Sequence, residues 1–122
     1  MTRENFALEL ETLTPGLNLL AVSGEVDLFA APELKETITG AIDGKACDLI
    51  VDLTRTAFID SSGLAAVIMA MKRARSHGGR MVVVDGEGGV ARTFRVAGVD
   101  QIVTIVASRE AAVALLSAPA GR

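Results

Sequence analysis

A short apolar run in the middle of the chain constrains the fold more than any other feature. Residues 48–53 (DLIVDL) form this run, which is typical of a strand that is covered on both faces. Residues 81–84 (MVVV) form a second run, and apolar residues recur at helical spacing between the two, over residues 62–76. Gly78-Gly79 then ends the helix. A strand, a helix and another strand with short connections predict a right-handed crossover onto a parallel sheet.

The same patterns predict the remaining elements. Residues 6–13 alternate apolar and polar side chains, as a half-buried strand does, and Pro15-Gly16 marks a turn after them. Residues 17–22 then form the partner strand of a hairpin, followed by a loop at residues 23–27. The later elements are a helix from near Pro32 to a C-cap at Gly44, a short helix at residues 90–97, a strand at residues 102–106 and a last helix capped by Ser108.

These elements predict one α/β domain over residues 1–122, with a core at residues 6–116 between a short polar N-terminus and a frayed tail. The expected sheet is mixed and mostly parallel, with about five strands, and about four helices lie mainly on one face of it. The chain is long enough for a single hydrophobic core and too short for two.

Composition and charge exclude several classes of protein. The net charge of −3 leaves no basic field for a nucleic-acid backbone, so we expect no direct contact with nucleic acid. The longest uncharged apolar run, residues 64–71, is far shorter than the ~20 residues that cross a bilayer. The single cysteine, Cys47, excludes an internal disulfide and a multi-cysteine metal site. Because the opening MTREN is unlike a secretory signal, we expect a soluble, cytoplasmic protein without membrane contact, metal or cofactor.

Two features invite an enzymatic interpretation, and both are weak. The only histidine, His77, is expected at the far end of the helix that starts near Ser61, about 22 Å away. A general base must lie within about 3 Å of its serine, so the two residues cannot form a triad. Residues 86–91 (GEGGVA) formally match a dinucleotide fingerprint. However, the helix that follows is short and no acidic residue ends the next strand, so we interpret this segment as a loop.

The most unusual motif is Asp60-Ser61-Ser62-Gly63, at the junction of a strand and the second predicted helix. Helix capping explains one or two of its polar residues. A helical projection places Leu64, Val67, Ile68 and Met71 towards the core, and places Ala65, Ala66 and Met69 on the side of Ser62. An apolar outer stripe beside hydroxyl groups indicates a docking surface. Alternatively, another element such as the last helix covers this side, and the pattern leaves both interpretations open.

Phosphorylation of a serine in this motif would act as a switch. A phosphate adds about −1.5 to −2 charges, which the free N–H groups of a helix N-terminus accept. A partner pressed against that serine would have to bury the phosphate beside Asp60, at a cost in desolvation and in repulsion between like charges. The fold would therefore survive the modification, and binding would not.

Three motifs together resemble a known family. FIDSSGL (residues 58–64) follows the strand LIVDL (residues 49–53), GEVD occupies residues 24–27, and Phe94 precedes Gly98-Val99. This arrangement resembles the anti-sigma factor antagonists, small bacterial proteins of the STAS domain class, over nearly the whole chain. One departure is Gly88-Gly89, which stands where many relatives place a proline before the third helix.

The resemblance implies a non-enzymatic regulator of transcription that works by partner switching, as in stress-response and sporulation-type signalling. The unmodified antagonist would bind an anti-sigma factor serine kinase and so free a sigma factor. That kinase, which carries the ATP, would phosphorylate Ser61 rather than the neighbouring Ser62, and a metal-dependent PP2C-type phosphatase would reset the system. Asp27 matches the loop acid near the kinase interface. The residues we expect to contact the partner are Asp27, Asp60, Ser62, Gly63, Ala65, Ala66 and Met69.

Two other functions are compatible with the sequence. The first is a STAS scaffold or interaction domain of a stress-signalling complex that is not controlled by phosphorylation. The second is a small nucleotide-binding protein or enzyme that uses the loop at residues 86–91.

Overall fold

The helices and strands follow the predicted order. The structure, a computed structural model, describes residues 5–42, 47–86 and 89–117. The elements are β1 (Phe6–Thr14), β2 (Leu17–Val26), α1 (Ala31–Ile42), β3 (Asp48–Ile59), α2 (Ser61–Ser76), β4 (Met81–Val84), α3 (Gly89–Val96), a 3-10 turn (Val99–Gln101), β5 (Thr104–Val106) and α4 (Arg109–Ser117). Three predicted features lie outside the described residues. They are the C-cap at Gly44, part of the loop at residues 86–91 including Gly88, and the tail at residues 118–122.

The strands form one five-stranded sheet in the order β1-β2-β3-β4-β5. β1 pairs with β2 in the antiparallel sense, and the other three pairings are parallel. The prediction of a single α/β domain with a mixed, mostly parallel sheet is confirmed. Because successive side chains of a strand point to opposite faces, the apolar run at residues 48–53 supplies both sides of this sheet.

The helices divide unequally between the two faces. α1, α2 and α3 pack on one face and bury the main core, which includes Leu34, Val67 and Phe94. α4 packs alone on the opposite face, where Ala112 and Leu116 bury a smaller cluster. The prediction that the helices lie mainly on one face is therefore confirmed, and α4 does not reach the side of α2 on which Ser62 was placed.

The central strands are longer than predicted. The prediction of a loop at residues 23–27 is wrong for its first four residues, because β2 continues to Val26. Gly24 permits this continuation: its φ is +94°, and a Cβ there would lie 1.9 Å from the backbone oxygen of Asn5. β3 likewise continues to Ile59, and beyond Asp52 it pairs with β2 but not with β4 in the described part of the sheet. Extended β2 and β3 thus end side by side.

The last strand is shorter than predicted. Residues 99–101 form the 3-10 turn, preceded by Gly98 with a φ of +75°, so β5 begins at Thr104 and not at residue 102. Within the described residues, no helix is long and apolar enough to cross a membrane. The same residues contain no cluster of three or more acidic, histidine or cysteine side chains that could hold a metal ion.

Candidate functional site

Ser61 is the first residue of α2 and is exposed. Asp60 is the N-cap: its backbone is extended, and its Oδ1 accepts a hydrogen bond of 3.0 Å from the Gly63 amide. The Asp60 amide donates to the backbone oxygen of Val26 at 3.2 Å, which ties the start of α2 to the end of β2. One carboxylate therefore caps the helix and leaves the Ser61 side chain facing solvent.

Gly63 allows the first turn of α2 to lie directly on the sheet. A Cβ at this position would lie 2.5 Å from Cγ1 of Ile59 and 2.9 Å from the backbone oxygen of Val26. The residue is buried, so it supports the site from beneath instead of lying on the surface. Its expected contact with a partner stays a prediction.

The outer side of α2 agrees in part with the helical projection. Ala65 is exposed, Met69 is 49% exposed, and Ser62 is half-buried. Ala66 lies on the same side as Ser62, as projected, but it is only 5% exposed and so is not an outward-facing residue. α1 packs along this edge of α2 and covers it, an effect that the periodicity of one helix does not reveal.

Asp27 shapes the loop that precedes α1. Its Oδ1 accepts hydrogen bonds of 3.0 Å from the amides of Phe29 and Ala30. This turn presents Leu28 and Phe29 to solvent, with 63% and 69% of their surfaces exposed. Sequence reasoning missed these two residues. The available signal was an apolar pair between a capping aspartate and a helix start, where the backbone turns away from the core.

Four of the expected site residues line a shallow groove between α1 and α2, whereas Asp27, Asp60 and Gly63 do not line it. Its volume is about 260 Å³. The exposed Ser61 does not line the groove, but it lies one helical turn before Ala65 and therefore on the same side of α2. The residues that line it are Leu28, Ala31, Pro32, Lys35, Ser62, Ala65, Ala66 and Met69. The structure thus brings Ser62, Ala65, Ala66 and Met69 together, with Asp60 at the adjoining helix cap.

The histidine considered for enzymatic chemistry and the single cysteine do not line this groove. His77 is at the opposite end of α2, where its Nδ1 lies 3.0 Å from the backbone oxygen of Arg73. The prediction that His77 lies at the far end of this helix is thus confirmed. The Cys47 thiol is buried, with Sγ 3.6 Å from the backbone oxygen of Ala41.

Comparison with known proteins agrees with the resemblance predicted from the sequence. The anti-sigma-B factor antagonist of Listeria monocytogenes is 27% identical over 101 residues, which are 83% of this chain and 89% of that protein. An anti-sigma factor antagonist structure from Mycobacterium paratuberculosis matches with a TM-score of 0.83 at 23% identity and covers 96% of this chain and 98% of its own. The phosphorylated form of the Bacillus cell fate determinant SpoIIAA matches with a TM-score of 0.69 at 24% identity, over 89% and 99% of the two chains.

The two structural matches establish the fold, and the family match extends over most of the sequence. The STAS domain model matches residues 11–112, from the middle of β1 into α4. The chain belongs to the STAS domain family.

Proposed function

We propose that this protein is an anti-sigma factor antagonist that is switched by phosphorylation of Ser61. In its unmodified form it binds an anti-sigma factor serine kinase and so releases a sigma factor. The kinase, using ATP bound to itself, phosphorylates Ser61 and thereby ends the complex. The observation that carries this proposal is the exposed hydroxyl of Ser61 at the start of α2, beside an apolar groove.

The local structure can accept a phosphate on Ser61. The first amides of a helix have no partner within the helix, and here Asp60 already satisfies the amide of Gly63. The amides of Ser61 and Ser62 and the positive end of the helix dipole remain to favour added negative charge. Because Ser61 is exposed, the phosphate stays in water and the core is undisturbed.

A bound partner would make a phosphate on Ser61 unfavourable. A surface that covers Leu28, Ala65 and Met69 would also remove Ser61 from water, because Ser61 lies one helical turn before Ala65 on the same side of α2. A phosphate would then be desolvated next to the Asp60 carboxylate, with repulsion between the two negative groups. The free protein tolerates the modification and the complex does not.

The proposal includes the wider circuit. The protein acts in the bacterial cytoplasm as a regulator of transcription, without enzymatic activity of its own, and a PP2C-type phosphatase removes the phosphate. Support comes from its relatives, several of which are anti-sigma-B factor antagonists.

The direct test is to incubate the purified protein with each anti-sigma factor kinase of its own organism and ATP, and to map the modified residue by mass spectrometry. We expect one phosphate on Ser61, none on the Ser61→Ala variant, and normal modification of Ser62→Ala. A phosphate on Ser62 alone would move the switch by one residue. Failure of every kinase, together with an unmodified protein in its own cells, would instead support the scaffold role.

A further inference from the structure

The groove beside Ser61 continues along α1 and α2 towards their C-terminal ends. A second hollow of about 420 Å³ lies there and shares Lys35 and Met69 with the first. Thr39, Lys72, Arg73 and Ser76 also line it. We call the two hollows together the α1–α2 groove, with a serine end at Ser62 and a lysine end at Lys72. Between Ser62 and Ser76 the helix rises about 21 Å, which sets the length of the groove.

The two ends of the α1–α2 groove differ in charge. Apart from Lys35, which both hollows share, the side chains that line the serine end are apolar or hydroxyl-bearing. Three cationic residues line the lysine end, and no carboxylate does among the described residues of either hollow. Lys35 and Lys72 are exposed, and neither forms an ion pair within the described part of the chain. This positive surface belongs to a chain whose net charge is −3.

We propose that the α1–α2 groove binds an acidic amphipathic helix of the partner protein. Its apolar side chains occupy the serine end, and its aspartate or glutamate side chains face Lys35 and Lys72. The inference rests on the proposed function, because the same partner must cover Ser61. A groove between two packed helices suits a third helix, and a helix of about 14 residues spans its length.

The charge pattern also sets the orientation of the bound helix. Opposite charges across an interface steer association and fix register, whereas like charges are rejected. A basic helix would be repelled from Lys35 and Lys72, and a reversed acidic helix would bring its carboxylates next to Asp60. Of the two lysines that select the partner, Lys35 lines both hollows, whereas Lys72 lies about 15 Å or more along α2 from the phosphate on Ser61.

The probe is a synthetic helical peptide of about 14 residues with a leucine stripe flanked by glutamates. A second peptide has lysines in place of the glutamates. Each is titrated into the isotope-labelled full chain and followed by amide NMR shifts. We expect the acidic peptide to shift amides of α1 and α2, and the Lys35→Glu/Lys72→Glu variant to bind it about tenfold more weakly. The matched control, Arg92→Glu/Arg95→Glu, changes the net charge equally on the exposed side of α3 and should bind as the parent does.

Several results would overturn the inference. Equal weakening in the α3 control would mean that only net charge matters, and equal binding of the basic peptide would remove the charge selection. Lysine-dependent binding to phosphatidylglycerol vesicles without peptide binding would assign the surface to a membrane.

The kinase assay separates this inference from the switch itself. If a kinase modifies Ser61 and binds the lysine variant as tightly as the parent, the lysine end is not part of the interface and the switch stands. If the acidic peptide binds through both lysines while no kinase modifies Ser61, the docking groove stands and the phosphorylation switch does not.

Discussion

Two aspartates on or next to β3, Asp52 and Asp60, differ in burial and in the number of hydrogen bonds that their carboxylates accept. Asp60 is only half-buried, and its single described side-chain hydrogen bond caps α2. Asp52 is 4% exposed and accepts hydrogen bonds from the amide and hydroxyl of Thr54 at 2.9 and 2.7 Å, and from Nε of Arg109 at 2.5 Å. The first carboxylate caps the helix whose exposed first residue, Ser61, we propose to be phosphorylated. The second links β3 to α4 through its ion pair with Arg109, and its hydrogen-bond partners favour the ionised carboxylate.

The surroundings of Asp52 change the pKa of its carboxyl. Burial alone would raise the pKa of its carboxyl, but the Thr54 hydroxyl, the Thr54 amide and the Arg109 guanidinium outweigh burial and hold the pKa below its ordinary value. A lowered pKa in the folded state means that the ionised form stabilises the fold. The comparison therefore separates the exposed helix start, where we propose that a phosphate is added, from a buried carboxylate whose partners favour its ionised form.

The largest effect is expected at Ser61. Ser61→Asp should weaken binding to the anti-sigma factor kinase by about 3 kcal/mol, because a desolvated charge would lie beside Asp60. Ser61→Ala should bind without being switched off. Titration calorimetry measures both affinities, and thermal unfolding should show melting temperatures close to the parent's. Parent-like kinase affinity of Ser61→Asp would contradict the switch.

The next effect is expected at Gly63, where the first turn of α2 lies directly on the sheet. Gly63→Ala should lower the free energy of unfolding by about 1–3 kcal/mol, because the added methyl group meets Ile59 and the backbone of Val26. Gly40→Ala is the matched control, since a Cβ there has no neighbour within 4 Å and alanine favours the helix by about 1 kcal/mol. Urea denaturation compares the two. Equal stabilities would show that α2 can shift on the sheet.

The buried aspartate gives a smaller, pH-dependent effect. Arg109→Ala should destabilise the fold by about 1–2 kcal/mol at neutral pH by removing a hydrogen bond to a charged group. Because the pKa of Asp52 is lowered on folding, the stabilisation is present above roughly pH 4, the unfolded value, and is lost as the pH falls through the folded value. Urea unfolding between neutral and acidic pH should therefore show a smaller loss in the variant. Glu110→Ala, on the same helix, is the control.

The smallest effect is expected at the rim of the groove. Met69→Glu should weaken kinase binding by about 1 kcal/mol, because it places a charge where apolar surface is to be covered. Met69→Leu keeps the apolar surface and should bind as the parent does. Undiminished affinity of Met69→Glu in titration calorimetry would remove Met69 from the interface.

The sequence predicted the elements whose signals are local. The apolar runs at residues 48–53 and 81–84 became parallel neighbours, and Ser108 caps α4 with its hydroxyl accepting from the Ala111 amide at 3.1 Å. The start of α2 was predicted to within one residue, at residue 62 where the structure has Ser61. Each of these depends on the periodicity of one segment or on bonds that span a single turn.

Features that depend on two distant segments were missed or misplaced. β2 extends past residue 22 because its later residues contact Asn5, which directly precedes β1, and Thr56 of β3. Ala66 is buried because α1 packs against it, and no pattern within α2 encodes that contact.

By itself, the sequence determined the α/β alternation, the family and the serine at a helix start, because these are recorded in residues close together in the chain. Only the tertiary structure decided that Leu28, Lys35 and Met69 line one groove with Ser62, and that Asp52 and Arg109 meet across 57 positions of sequence. Packing brings such residues together through the crossover geometry of the sheet. That geometry depends on contacts between segments, which local periodicity does not contain.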